Sequence, residues 1–289
     1  MLNVTEAAPA KVNLFLHVGE RRTDSFHPLQ SLAVFTGMGD VLRAEAAPHL
    51  SLTIAGPFAA GLAAEDDNLV LRAARALAAE AGTLAGAALT LTKNLPVASG
   101  IGGGSADAAA TLRALKSLWR TETEDSILLE IAATLGSDVP VCVPAKAAYM
   151  EGRGEILTSV RLPRLPMLLV NPGVAVPTRD VFAALKTRSG ADLALPRDGF
   201  ADAGALLYFL EATRNDLEEP ARRIQPVIGN VLDTLSALPG VVMVRMSGSG
   251  ATCFALFADD GACASAAQAL QAAHPCWWVA TTHTLAGMS

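Results

Sequence analysis

A chain of 289 residues, 51% apolar and 17% charged, has ample material for a core and a length that suits one or two domains. Its formal charge of −6 argues against the clustered basic surface that nucleic-acid phosphates require. No apolar run reaches the roughly 18 to 20 residues of a membrane-spanning helix, and MLNVTEAAPAK has neither the basic start nor the apolar core of a secretory signal, so no membrane partner and a cytoplasmic location are expected.

In chain order, Lys11 to Val18, Leu32 to Phe35, Val41 to Ala44 and Leu50 to Ile54 are short, apolar-rich and bounded by turn residues, which predicts strands. An Ala/Leu-rich helix is predicted from about Asp66 to Ala81, and Leu89 to Thr92 reads as another strand. That strand runs into L-P-V-A-S-G-I-G-G-G-S-A-D-A-A-A-T (Leu95 to Thr111), the most informative stretch of the chain.

Gly100, Gly102, Gly103 and Gly104 lack a Cβ and tolerate positive φ, so consecutive N–H groups can converge on an anion. Ser105 is expected to open a helix over Ala106 to Leu118, whose first-turn N–H groups and dipole would add to the attraction for phosphate. A P-loop is excluded, because Ala106 and Asp107 follow Ser105 where a lysine is needed. A dinucleotide loop is excluded because Ser105 stands where its third glycine should fall. By itself the segment also fits a flexible turn that caps a helix.

Another helix is predicted over Ser126 to Leu135, ending at Gly136. G-S-D-V-P-V-C-V-P then places Asp138 between a helix end and an expected apolar strand, where in isolation it reads as a turn-capping carboxylate rather than a catalytic one. The composition shift at R-L-P-R-L-P (Arg161 to Pro166) marks the expected boundary between a domain over 1–160 and another over 161–289. Beyond it come a strand over Met167 to Val170, helices near Gly204 to Glu211 and Ile224 to Leu238, and two apolar runs joined by Ser247, Gly248, Ser249 and Gly250. That second small-residue turn reads either as a hairpin or as an approach to a ligand or to the first glycine loop. Cys142, Cys253, Cys263 and Cys276 are irregularly spaced, with no C-x-x-C pair, and are expected to be free thiols.

Three ordered segments, P-A-K-V-N-L-F-L (Pro9 to Leu16), P-V-A-S-G-I-G-G-G-S-A-D-A-A (Pro96 to Ala109) and S-G-S-G-A-T-C-F (Ser247 to Phe254), resemble the three motifs of the GHMP small-molecule kinases. D-S-F-H-P-L-Q-S (Asp24 to Ser31), L-G-S-D-V-P-V (Leu135 to Val141), E-G-R-G-E-I-L (Glu151 to Leu157) and N-P-G-V-A-V-P-T (Asn171 to Thr178) narrow the resemblance to the branch whose acceptor is a cytidine diphosphate-linked methylerythritol. The resemblance implies an α+β fold of two domains, an ATP-binding N-terminal one and a ferredoxin-like C-terminal one. It also implies a kinase that uses ATP and Mg²⁺ on that small-molecule substrate. A kinase for a mevalonate- or homoserine-like alcohol and a non-catalytic binding protein on the same fold are the competing readings.

The resemblance further implies that Asp138 takes the proton of the acceptor hydroxyl while Lys11, a charge set in an apolar segment, orients Asp138 and stabilises the attacking oxygen. Pro96, Val97, Ala98, Ser99, Gly100, Ile101, Gly102, Gly103, Gly104, Ser105 and Ala106 would cradle the triphosphate; the Mg²⁺ ligands stay unassigned. Phe26 and Phe182 would sandwich the cytosine, His27 would bond its edge partly through its backbone, and Asn13 and Thr178 would add polar contacts. The family often has tyrosine where Phe26 stands, so the stacking face is kept and a hydroxyl lost.

Overall fold

Alternating exposure over residues 3–7 gives way to a wholly buried run over 8–18, and together they form one long strand, β1 (Asn3–Val18). The computed structural model describes residues 3–20, 27–60, 62, 68–186, 193–196 and 198–285. The chain divides into two compact, interleaved units: Met1–Ala10, Gly39–Val97 and Gly102–Ala145 make one, and Lys11–Met38, Ala98–Ile101 and Lys146–Ser289 the other.

In the first unit, the second half of β2 (Leu29–Ala47) pairs antiparallel with β4 (Gly86–Thr92), and β3 (Ser51–Ala55) pairs parallel with β4. The two short strands expected at Leu32 to Phe35 and Val41 to Ala44 are thus parts of one strand. The intervening Gly39 does not turn the chain; a Cβ there would lie 2.5 Å from the Ala8 carbonyl oxygen, so glycine serves close approach to β1. Helix α1 (Leu69–Glu80) starts where the Asn68 side chain accepts the Val70 N–H at 2.9 Å. Helix α2 (Gly103–Trp119) is buried from Ala106 to Leu112, and its alanines let α1 pack close. Helix α3 (Asp125–Leu135) ends at Gly136 as expected. The run after Asp138 is a correction: it forms a short helix, α4 (Val139–Cys142), because Pro140 sits in the first turn, where no N–H is needed.

In the second unit, the first part of β2 pairs with β5 (Ala148–Gly152), which pairs with β6 (Ile156–Ser159). A second sheet has the order β10–β7–β9–β8, all antiparallel, from β7 (Pro166–Asn171), β8 (Val241–Met246), β9 (Cys253–Phe257) and β10 (Trp278–His283). Helices α5 (Thr178–Ala183), α6 (Ala203–Glu211), α7 (Glu218–Ile224) and α8 (Val227–Ser236) fall between β7 and β8, and α9 (Asp260–Ala273) between β9 and β10. That order is the ferredoxin-like split βαβ arrangement expected of the C-terminal half. β7 and β9 are buried along their whole length, as central strands must be, and α8 contributes Ile228, Val231, Leu232 and Leu235 at helical spacing to the core. Among the described residues no helix is long and apolar enough to cross a membrane, and all four cysteines are free thiols.

Candidate active site

The glycine-rich segment begins where β4 ends. Ala98, Gly100 and Gly102 have φ of 50°, 76° and 65°, the alternating left-handed conformations from which anion nests are built. Gly103 and Gly104, by contrast, are helical. Ser105, expected to open the helix, is its third residue: the Ala106 N–H already bonds the Gly102 carbonyl at 2.9 Å, so α2 starts two residues earlier. Gly102 caps it without a side-chain bond, which leaves the first-turn N–H groups of Gly103, Gly104 and Ser105 without helical acceptors.

A buried triad in the same unit supports that turn. Lys93, at the end of β4, forms ion pairs with Asp40 of β2 and, at 2.7 Å, with Asp107 of α2. Asp40 also accepts the N–H groups of Asn94 and Leu95 at 2.6 and 2.9 Å. Burial pushes the Asp107 carboxyl up to about 7 against the pull of Lys93, and Asp40 adds to the rise. Burial opposes the Lys93 charge, but the two carboxylates outweigh it and its pKa rises.

In the second unit, four of the expected site segments are joined by hydrogen bonds. Lys11, 3% exposed, donates its N–H to the Ile101 carbonyl at 3.0 Å. The Ser247 hydroxyl accepts the Asn13 N–H at 3.1 Å and donates to the Gly100 carbonyl at 3.0 Å. Thr252 donates its N–H to the Ser99 carbonyl, and Thr178, the exposed first residue of α5, shares a 2.9 Å hydroxyl bond with Ser249. The two small-residue turns press together: a Cβ on Gly100 would lie 2.5 Å from the Ser247 carbonyl oxygen, and one on Gly248 2.8 Å from that of Gly100. Both readings of Ser247 to Gly250 are seen: the segment is the turn between the antiparallel strands β8 and β9, and it approaches the glycine loop.

Asn13 donates from Nδ2 to Ser31 at 2.8 Å, while its Oδ1 is buried with no hydrogen-bond partner among the described residues. His27 faces Phe182 at 6.3 Å between ring centroids with planes 25° apart, and its Nδ1 lies 3.1 Å from the Gly19 carbonyl. The histidine ring, and not its backbone alone, therefore fronts the aromatic group. Phe26 lies outside the described residues. Asp138 belongs to the first unit, half-buried at the start of α4, and makes no side-chain capping bond there.

The GHMP kinases N terminal domain matches residues 68–146, and the GHMP kinases C terminal family matches residues 194–276. A curated 4-diphosphocytidyl-2-C-methyl-D-erythritol kinase of Rhodospirillum rubrum is 54% identical over 278 residues, covering 96% of this chain and 91% of that protein. The chain belongs to the GHMP kinase family. A crystal structure of 4-(cytidine 5'-diphospho)-2C-methyl-D-erythritol kinase is 34% identical, covers 99% of this GHMP kinase and 100% of its own chain, and superposes with a TM-score of 0.80. Homoserine kinase from Cytophaga hutchinsonii, 18% identical with a TM-score of 0.74 over 99% of this chain and 95% of its own, shares the fold.

Sequence reasoning passed over Asp40, Lys93 and Asp107 of this GHMP kinase. Their signal was there: Asp107 is a lone acid in an alanine tract, and Lys93 closes an apolar strand, so each charge needed a buried partner. Arg245 was missed too. It is held by the Leu14, Leu210 and Thr213 carbonyls and the Thr213 hydroxyl, and burial lowers its pKa to about 10 against the pull of Glu218.

Proposed function

We propose that this GHMP kinase transfers the γ-phosphoryl group of ATP to the 2-hydroxyl of 4-diphosphocytidyl-2-C-methyl-D-erythritol, giving the 2-phosphate and ADP in the non-mevalonate route to isoprenoid precursors. The observation that carries this reading is the 54% identity to the Rhodospirillum rubrum kinase over 96% of the chain. The division near residue 160 into an ATP-binding and a C-terminal half belongs to the same proposal; the two matched family spans lie on either side of it. The proposed compartment is the cytoplasm, where ATP is supplied.

The triphosphate lies on the nest at Ala98 to Gly102 and the open first turn of α2, whose N–H groups supply positive potential without a Walker lysine. Asp138 takes the proton from the acceptor hydroxyl, and Lys11 orients that carboxylate and stabilises the attacking oxygen. A carboxylate suffices as base because positioning and charge stabilisation carry most of phosphoryl transfer through a loose transition state. Asn13 Oδ1, a buried acceptor in need of a donor, suits an alcohol O–H of the acceptor. Phe182 and His27 hold the cytosine, with Phe26 adding a second face, and Thr178 contacts the acceptor.

A Mg²⁺ ion belongs to the same proposal, bound through few protein ligands and mainly by phosphate oxygens. Bound there, the ion would neutralise charge on the transferring group.

The test is ADP release by purified protein with ATP and Mg²⁺, offered the cytidine diphosphate-linked methylerythritol, its uridine counterpart, mevalonate and homoserine side by side. Turnover with the cytidine compound alone is expected. Turnover with another acceptor would discard the substrate, and none with any acceptor would discard the kinase.

A further inference from the structure

Ser247 is fully buried, and its one hydroxyl serves two backbone groups far apart in sequence. It accepts the N–H of Asn13, two residues after Lys11 on β1, and donates to the carbonyl of Gly100, at the centre of the glycine-rich loop. A hydroxyl has one proton and two lone pairs, so both bonds form at once without competing. Around them, the Lys11 N–H bonds Ile101 and the Thr252 N–H bonds Ser99, so β1, the loop and the β8–β9 turn form a single hydrogen-bonded layer.

The turn that carries Ser247 is itself fixed from below. Asn215 Nδ2 donates to the Met246 and Gly248 carbonyls, each at 2.8 Å, and Asn215 Oδ1 accepts the Leu217 N–H at 3.0 Å. The Leu16 N–H bonds the Arg214 carbonyl, and the Asp216 N–H bonds the Leu16 carbonyl, so the segment that anchors the turn also anchors β1. Ser247 cannot shift without breaking a bond to one side or the other. The close packing of Gly100 against the Ser247 and Gly250 backbone leaves no room for a side chain to substitute for the hydroxyl contact.

We propose that Ser247 is a positioning residue for phosphoryl transfer: its hydroxyl sets the register between the strand that carries Lys11 and Asn13 and the loop that cradles the triphosphate. The proposal rests on the kinase reading given above. Acceptor-side groups and phosphate-side backbone are thereby held by one oxygen atom, and removing that oxygen leaves each side able to bind its own ligand while misaligning the two. A misplacement of about 1 Å between reacting groups costs on the order of 100-fold in rate.

The test compares wild type with Ser247→Ala and Ser247→Thr by steady-state kinetics, with calorimetric ATP titration to count competent sites and amide hydrogen exchange to read the backbone. For Ser247→Ala, kcat falls about 30- to 100-fold while both KM values stay within about three-fold. ATP stoichiometry stays near one per chain, and exchange rises in peptides covering 11–15 and 99–102. Ser247→Thr keeps the oxygen and recovers most of kcat. Should Ser247→Ala not fold, Ser247→Cys keeps the shape of the side chain, slightly enlarged, with a much weaker hydrogen-bonding group and carries the same comparison. An unchanged kcat, or a loss that matches a fall in ATP stoichiometry, overturns the proposal. If wild type itself phosphorylates none of the offered alcohols, the kinase reading has failed. The positioning role in phosphoryl transfer then falls with it, and the exchange data test only the register that Ser247 sets, raised exchange at both peptides supporting that link and unchanged exchange refuting it.

Discussion

Lys93 and Asp107 stand at the two ends of the glycine-rich segment, and their side chains meet as a buried ion pair at 2.7 Å. The pair closes the segment into a loop from inside the first unit, with Asp40 completing a triad around the ammonium. Removing the lysine leaves two buried carboxylates uncompensated, a loss of about 3–5 kcal/mol. Lys93→Met is therefore expected to be strongly destabilised in urea unfolding, and Lys93→Met/Asp107→Leu to be more stable than the single variant. A double variant no better than the sum of the singles would show that the two side chains are not coupled.

The triad also gives stability a pH signature. Asp107 is raised from 3.8 to about 7, so between those values the folded chain holds a proton that the unfolded chain has released. Its contribution is full below pH 3.8 and is lost as pH rises through about 7. His17 acts with the opposite sign: burial first, then Arg214 and Arg245, lower its pKa below 6.5, against Asp216, so its contribution is present above pH 6.5 and is lost as pH falls below it. Urea midpoints measured between pH 4.5 and 8 should show wild type losing stability relative to Asp107→Asn as pH rises, and losing stability relative to His17→Gln as pH falls. Parallel curves for wild type and either variant would remove that group from the account.

Gly100 combines φ of 76° with backbone neighbours that a Cβ would meet at 2.5 to 2.8 Å. Gly100→Ala is expected to cost at least about 2 kcal/mol, since strain and overlap add, and to raise the KM for ATP. Gly104→Ala is the control: it lies exposed in the first turn of α2, with only the Leu69 Cδ1 near a Cβ, at 3.7 Å. Equal thermal midpoints for the two variants would contradict the close approach of the two turns.

Phe182 faces His27 and packs on the core of the second unit only in part. Phe182→Ala should raise the KM for the cytidine acceptor at least about ten-fold and that for ATP less than about three-fold. Comparable rises in both constants would sink the stacking role.

Asp138, the proposed base, stands half-buried at the start of α4. Asp138→Ala is expected to lower kcat by about 10²- to 10⁴-fold, the usual range for a general base, with ATP affinity within a few-fold. Near-normal turnover would remove the assigned base.

What the sequence determined by itself is what each residue settles within a few positions of its own backbone. Gly100 and Gly102 take the left-handed conformations that their missing Cβ allows, Gly136 ends α3, and the apolar runs of β7 and β9 become central strands. Spacing along the chain carries no such information about partners 147 or 234 residues away, the separations that Ser247 bridges to Gly100 and Asn13. Tertiary packing decided those bonds, as it decided the meeting of Lys93 with Asp40 and Asp107 and the ring of His27 set against Phe182. It also overrode one local reading: Gly39 is held extended by the close pass of β1, so two predicted strands became one. The earlier start of α2 is by contrast local, since the Gly102 carbonyl supplies its first helical bond ahead of Ser105. At Gly39 the local preference was worth less than the contacts that only the assembled elements provide.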